Sequence, residues 1–199
     1  MGKYIAIEGI DGAGKTTICQ LLSKELKNSI LIREPSDFDI GNFIRESLKS
    51  KKGFMKNSFV STLLFFADRI SMRDEIRKMK EKFDYIISDR CFLSTYAYQK
   101  ALIKSEEEKK LFEKIFKEFL KLIEMPDAII ILDVDIEVAL ERIEKEGKGK
   151  DLYENKEFLK EVLENYRNLD LEIENVYLVD ASRSIEEVKE DVKKVISLL

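Results

Sequence analysis

The 199-residue sequence predicts an α/β fold, a five-stranded parallel sheet with helices on both faces in three layers. Three observations carry that prediction. Five short apolar runs are continuous rather than alternating, the pattern of strands buried on both faces. Segments with helical spacing separate them. A glycine-rich turn joins the first run to the first helical segment, where a parallel α/β sheet opens its binding edge.

The elements follow in chain order. Lys3–Glu8 is the first strand, and Ile18, Leu21, Leu22 and Leu26 keep i, i+3, i+4, i+8 spacing on the helix after it. Ser29–Arg33 is the second strand. Val60, Leu63, Leu64 and Ala67 mark another helix, and Tyr85–Ser88 the third strand. Lys104–Lys114 is charge-dense and reads as the wet face of a long helix. The fourth strand, Ala128–Asp133, contains the unbroken run Ile129, Ile130, Ile131, Leu132; Asp135 fits an N-cap before the helix Ile136–Ile143. Val176–Asp180 is the fifth strand, and Ile185, Val188, Val192, Val195, Ile196 and Leu199 line the last helix. With no internal repeat, Pro/Gly-rich linker or low-complexity tail, residues 1–199 are expected to form one domain.

Composition narrows the chemistry. There is no His, which removes a Ser-His-Asp triad, an imidazole base and His-ligated metal. Two Cys without metal spacing make neither a disulfide scaffold nor a thiolate site. Catalysis is left to Lys, Arg, carboxylates, hydroxyls, backbone amides and a hard metal ion. The formal charge of −4 argues against a nucleic-acid surface, and no apolar run approaches the ~20 residues of a membrane span. Met1–Ile5 has no signal-peptide shape, so the cytoplasm is the expected compartment.

One motif is specific. Gly9-Ile10-Asp11-Gly12-Ala13-Gly14-Lys15-Thr16 fits G-x-x-x-x-G-K-[ST] between a strand and a helix, and Thr17 continues into that helix. Glycines let the backbone fold around an anion, and the helix N-terminus adds partial positive charge. Lys15 is placed to reach the β- and γ-phosphates of ATP, and the Thr16 hydroxyl to ligate Mg²⁺. Asp89-Arg90 follows the third strand at the carboxyl edge of the sheet. An acid there can hold Mg²⁺ through water, and an Arg can clamp phosphate oxygens bidentately; a surface ion pair ending a strand is the plainer reading. Asp133 and Asp135 read as structural.

With these residues in view, the chain resembles the thymidylate kinase family of P-loop nucleoside monophosphate kinases. The resemblance runs in order over nearly the whole length. It comprises the loop at 9–16, Arg33-Glu34-Pro35, Leu64-Phe65-Phe66-Ala67-Asp68-Arg69, Asp89-Arg90, Ser94-Thr95, Ala97-Tyr98-Gln99, Pro126-Asp127, Asp151 with Glu154, and Asp180-Ala181-Ser182.

The resemblance implies transfer of the γ-phosphoryl of ATP to dTMP with Mg²⁺, a P-loop NTPase fold with a small mobile lid at about 145–156, and a homodimer packed through helices, with Phe54–Phe66 a candidate stretch for it. It implies that Asp11 contacts the acceptor's 3′-hydroxyl, Phe65 stacks on thymine, and Arg69, four residues on, reaches a base edge or phosphate from the same helix face. Gln99 matches the residue whose amide pairs with the pyrimidine N3/O4 edge, Thr95 lines the pocket near the base, and Tyr98 packs by the sugar, where it crowds a 2′-hydroxyl. Arg33 and Arg45 match basic positions on the monophosphate side; for Arg45 a surface position flanking the core is equally open. Lys15, Asp89, Arg90 and Arg142 are then the catalytic set, with Thr16 and Asp89 at the metal.

Two departures stand out. Cys91 replaces the Tyr or His usual after Asp-Arg, which puts one substrate contact in question. The loop holds no Arg, and the lid offers Lys145, Lys148 and Lys150, with Leu152 where Arg is common; Lys148 and Lys150 are therefore expected to share the transition-state charge. A kinase for UMP or for pyrimidine monophosphates more broadly, and a nucleotide-binding module with weak transfer activity, are the alternatives. Phosphoryl transfer suits a chain without His, because positioning and charge neutralisation supply most of the catalysis.

Overall fold

The computed structural model describes residues 1–50, 52–145, 156–169 and 171–199. Five parallel strands, β1 (Lys3–Glu8), β2 (Ser29–Arg33), β3 (Tyr85–Asp89), β4 (Ala128–Asp133) and β5 (Val176–Asp180), form one sheet in the order β2-β3-β1-β4-β5. The predicted strands match in place; β3 runs one residue further because Asp89 pairs with both Ile7 and Arg33.

The helices among the described residues are α1 (Lys15–Glu25), α2 (Asp39–Lys49), α3 (Ser58–Lys82), α4 (Phe92–Leu102), α5 (Glu106–Leu120), α6 (Ile136–Lys145), α7 (Lys156–Arg167) and α8 (Ile185–Ile196), with a short 3₁₀ turn at Gly53–Lys56. α1 packs on β1, β2 and β3 and against α8, which also touches β4 and β5. α3 packs on β3 and carries α2 and α4 beside it, while α4 contacts both α5 and α7. The strand interiors are closed off by these layers: Ile5, Ile7, Ile86, Ile87, Ile129, Ile130 and Ile131 are all buried.

Lys104–Lys114 is not one helix face. Lys104 lies in the α4–α5 connection, and the Ser105 hydroxyl caps α5 by accepting from the Glu108 amide. Glu106, Glu107 and Glu108 fill the first turn, where the helix dipole favours negative charge. The other face of α5 is apolar. Phe112 and Phe116 are buried, and Phe116 meets Phe66 of α3 (ring centroids 4.9 Å apart) and Tyr96 of α4 (5.3 Å) edge-on. This aromatic cluster locks α3, α4 and α5 together behind the helix faces that carry Phe65, Arg69, Thr95 and Gln99.

The chain leaves β1 toward β2 on one side of the sheet and leaves β4 toward β5 on the other, so the order reverses between β1 and β4. Binding crevices open outside the carboxyl ends of the strands at such a switch point. Glu8, Arg33, Asp89, Asp133 and Asp180 all end strands on that edge.

Candidate active site

The loop after β1 forms because three of its glycines, Gly9 among them at φ +138°, take conformations that other residues rarely adopt. Gly12 has φ +80°, and a Cβ on it would lie 2.4 Å from the Ala139 carbonyl oxygen; Gly14 has φ +92° and hands the chain to α1. Ile10 and Ala13 are buried beneath the loop, and the Lys15 ammonium donates to the Ile10 carbonyl at 2.8 Å. Burial, and then the Arg90 charge, lower the Lys15 pKa to about 8, although Asp11 and Asp89 pull the other way. The Thr16 hydroxyl donates to Asp89 at 2.6 Å. Gly12, Gly14, Lys15, Thr16 and Thr17 line a cavity of about 530 Å³ with Asp11, Arg33, Glu34, Asp89, Arg90 and Ile143.

A second cavity, of about 280 Å³, adjoins it; Asp11, Glu34 and Arg90 line both. Pro35, Leu48, Phe65, Arg69, Ser94, Thr95, Tyr98 and Gln99 complete its wall. Arg90 has φ +82° and reaches Asp11 (2.5 Å) and the Ser94 hydroxyl (2.9 Å), its guanidinium 5.6 Å from the Tyr98 ring centroid. Arg69 donates to Glu34 (2.7 Å) and to the Cys91 carbonyl (2.9 Å), with its guanidinium 5.8 Å from the Phe65 ring centroid. The Glu34–Arg69 pair is almost fully buried. Burial pushes the Glu34 carboxyl up to about 7 against the pull of Arg69. Arg69 Nη1, Thr95 Oγ1, Tyr98 Oη and Gln99 Oε1 are buried in this wall without a hydrogen-bond partner among the described residues.

Of the residues expected from sequence, Asp11, Phe65, Arg69, Arg90, Thr95, Tyr98 and Gln99 converge on the smaller cavity, and the loop with Arg33 and Asp89 on the larger. Arg33 is mostly exposed and pairs with Asp37 at 2.6 Å. Arg45 braces the turn instead, donating to the Pro35 and Ser36 carbonyls. Arg142 lines neither cavity; it donates to the carbonyls of Ala181 (2.9 Å) and Arg183 (3.3 Å). Lys145 pairs with Glu141 at 3.7 Å, whereas Lys148, Lys150 and Leu152 lie outside the described residues. Cys91 is buried and lines neither cavity; it borders a small separate pocket with Tyr4, Glu34, Arg69 and Phe92.

Sequence reasoning gave no role to Glu8, Asp68, Ser94 or Tyr166. Asp68 is buried and accepts from the amide (2.8 Å) and hydroxyl (2.5 Å) of Ser36, fixing the turn that carries Glu34. Glu8 left a trace in the sequence, a carboxylate ending an apolar strand beside the glycine loop, and Asp68 and Ser94 stand within matched segments without a role of their own. Tyr166 comes from far along the chain and left none.

The two cavities together hold a phosphate loop and a slot flanked by an aromatic ring. The thymidylate kinase family model matches residues 7–192. The chain belongs to the thymidylate kinase family. A probable thymidylate kinase of Methanosphaera stadtmanae is 38% identical over 196 residues, spanning 96% of this chain and 95% of its own. Another, from Pyrobaculum aerophilum, is 41% identical over 194 residues, covering 97% and 95%. The solved structure of thymidylate kinase from Candida albicans superposes with a TM-score of 0.81 at 26% identity, covering 99% of this chain and 92% of its own.

The protein is thus a phosphotransferase that converts dTMP to dTDP with ATP and Mg²⁺, as thymidylate kinases do. The donor set fits that metal. Among the described residues no group of three or more His, Cys, Asp or Glu could hold an ion, and Thr16 and Asp89 offer two oxygens side by side. Mg²⁺ characteristically takes one or two protein oxygens and completes its shell with phosphate and water.

Proposed function

We propose that the smaller cavity takes dTMP and the larger one the phosphates of ATP, with Asp11, Glu34 and Arg90 at the junction where phosphoryl transfer occurs. The observation that carries this reading is the set of unpartnered buried atoms, Arg69 Nη1, Thr95 Oγ1, Tyr98 Oη and Gln99 Oε1, in a slot flanked by Phe65. A buried polar atom without a partner is costly, so such a set fits a ligand that completes it. Gln99 Oε1 offers an acceptor to the thymine N3–H, and Arg69 Nη1 a donor to O4. Cytosine reverses both groups, and the slot rejects it.

The remaining roles follow from charge and reach. Arg90 gives up part of its bond to Asp11 to clamp the acceptor phosphate, freeing Asp11 for the 3′-hydroxyl. Lys15 holds the β- and γ-phosphates; Thr16 and Asp89 would hold Mg²⁺, which when bound would supply positive charge to the phosphates. The acceptor is already an anionic phosphate, so no general base is required. Tyr98 packs against the sugar and disfavours a 2′-hydroxyl. ADP formation measured across dTMP, dUMP, UMP, dCMP and AMP tests the assignment. dTMP is expected to lead, with dCMP at least about a hundred-fold poorer in kcat/KM. Equal use of dCMP overturns the edge assignment, and equal use of UMP the deoxyribose preference.

Three further residues are assigned to transition-state charge. Lys148 and Lys150 take part of the load that an arginine carries elsewhere. Arg142 joins them by exchanging the Ala181 and Arg183 carbonyls for phosphate oxygens. Alanine at each of the three lowers kcat more than it raises the ATP KM, and unchanged turnover removes the residue concerned from the set. We also assign the working form to a homodimer in the cytoplasm. Support for the dimer comes from Val60, Leu63 and Ile70, exposed at i, i+3 and i+10 on α3, and from the half-exposed stacked rings of Phe43 and Phe54, 6.1 Å apart. Sedimentation of wild type and Leu63→Glu tests it: a monomeric wild type rules the dimer out.

A further inference from the structure

Glu8 is completely buried, carries a carboxylate, and has no part in the reaction described above. Its two oxygens collect four donors. One accepts from the backbone amides of Cys91 (2.6 Å) and Ser94 (3.0 Å); the other accepts from the Ser94 hydroxyl (2.7 Å) and the Tyr166 phenol (2.8 Å). All but the phenol belong to the segment that begins at Arg90.

That segment needs support. Arg90 is a non-glycine residue in the left-handed region, a conformation that persists where its surroundings dictate it. Its amide donates to the Ile7 carbonyl (3.0 Å), its carbonyl accepts from the Ser88 hydroxyl (2.7 Å), and the next amide, that of Cys91, is held by Glu8. The side chain is held by the same carboxylate one step removed. Ser94 has a single hydroxyl proton. Arg90 Nη1 can only donate, so the Ser94 oxygen accepts from it at 2.9 Å and turns its own proton to the Glu8 carboxylate at 2.7 Å, nearer than the Tyr166 hydroxyl at 3.1 Å. The run of donors therefore has one direction, from Arg90 to Ser94 to Glu8.

We propose that Glu8 is a positioning residue for the acceptor-phosphate clamp: it fixes the backbone and the guanidinium of Arg90, and through Tyr166 it ties α7 to that same arginine. α7 is anchored at this point by three consecutive residues. Asn165 donates to the Ala97 carbonyl (2.9 Å), Tyr166 to Glu8, and Arg167 to Asp133 (2.9 Å). The inference rests on Arg90 contacting the acceptor phosphate, as assigned above.

Glu8→Gln is a directional probe. It keeps the shape but places an NH₂ where one oxygen accepted, so the Ser94 oxygen receives a donor from below and competes for Arg90. Tyr166→Phe removes one donor and keeps the ring. With the full chain, kcat, KM for dTMP, KM for ATP and Tm are measured for both variants, for Arg90→Lys, and for each combined with Arg90→Lys. The expected result is a dTMP KM raised about ten-fold by Glu8→Gln and about three-fold by Tyr166→Phe, with the ATP KM within two-fold of wild type. Both effects vanish on the Arg90→Lys background, because the coupling runs through that side chain.

A lowered Tm with an unchanged dTMP KM overturns the proposal, and so do effects that simply add to those of Arg90→Lys. If Glu8→Gln does not fold, Tyr166→Phe and its double variant decide the matter alone. An Arg90→Lys enzyme indistinguishable from wild type overturns the clamp assignment itself, and is seen before any change at Glu8 or Tyr166.

Discussion

The two halves of the active site are built in different ways. The side proposed for ATP is lined mostly by one run of the chain, Asp11 to Thr17, whose backbone turns at Gly12 and Gly14, with φ of +80° and +92°. The side proposed for dTMP is assembled from α2, α3, α4, Arg90 before α4 and the turn at 34–36. Its geometry is fixed by buried side-chain pairs between residues far apart in sequence, Glu34 with Arg69 and Ser36 with Asp68. A local motif of backbone groups is hard to disturb from a distance but fails at once when its central cation goes. A slot held by side-chain pairs degrades in steps, and it takes fold stability with it.

Removing the central cation gives the largest contrast. Lys15→Met takes away the ammonium under the phosphates, and kcat falls on the order of 10²–10³-fold while dTMP binding, read by calorimetry, stays near wild type. Loss of dTMP binding to the same degree would erase the distinction between the halves. Asp68→Ala is the matching cut on the other side. It leaves the Ser36 amide and hydroxyl unpaired, costing about 2–3 kcal/mol. The expected outcome is a Tm lower by about 5–10 °C and a dTMP KM raised about ten-fold, with the ATP KM little changed. A variant with normal Tm and normal dTMP KM would show that the turn is held by other means, Arg45 foremost.

The mildest perturbation, one that changes no residue, is of pH. Lys15 has a pKa lowered to about 8 in the free protein, and bound ATP, being anionic, favours its charged form. ATP affinity is therefore flat below pH 8 and weakens above it, as the free enzyme loses the proton that the complex retains. The ATP KM should rise up to ten-fold per pH unit between 8 and the higher pKa of the complex, whereas the dTMP KM should not follow it. A flat ATP KM from pH 7 to 9.5 would contradict this account.

These differences also decide what the sequence could disclose. The strands were legible because buried parallel strands are continuously apolar, and the loop because its chemistry is contiguous: Gly12, Gly14, Lys15 and Thr16 announce their roles by spacing alone. Phe65 with Arg69 and Thr95 with Gln99 could be paired because helix geometry puts i and i+4 on one face. That they share a slot came from the family resemblance, since nothing in the sequence joins α3 to α4. Asp68, Ser94 and Tyr166 went without a role because their meaning lies in long-range partners: a buried carboxylate reads in sequence like a surface one until its donors are known. The charged stretch at Lys104–Lys114 misled for a related reason. Its three glutamates are an α5 N-terminus with Ser105 as cap, a short-range signal masked by the density of charge around it.

Asp11, Glu34 and Arg90 line both cavities, and that has a bearing on how the enzyme can be altered. The compartments proposed for donor and acceptor are not separable modules, because a change of charge at any of these three residues is felt on both sides. Variation that retargets the enzyme to another base or sugar without harming its use of ATP is confined to positions facing one compartment only, Leu48, Phe65, Thr95, Tyr98 and Gln99 among them. The party wall between the substrates sets the limits on the enzyme's evolvability.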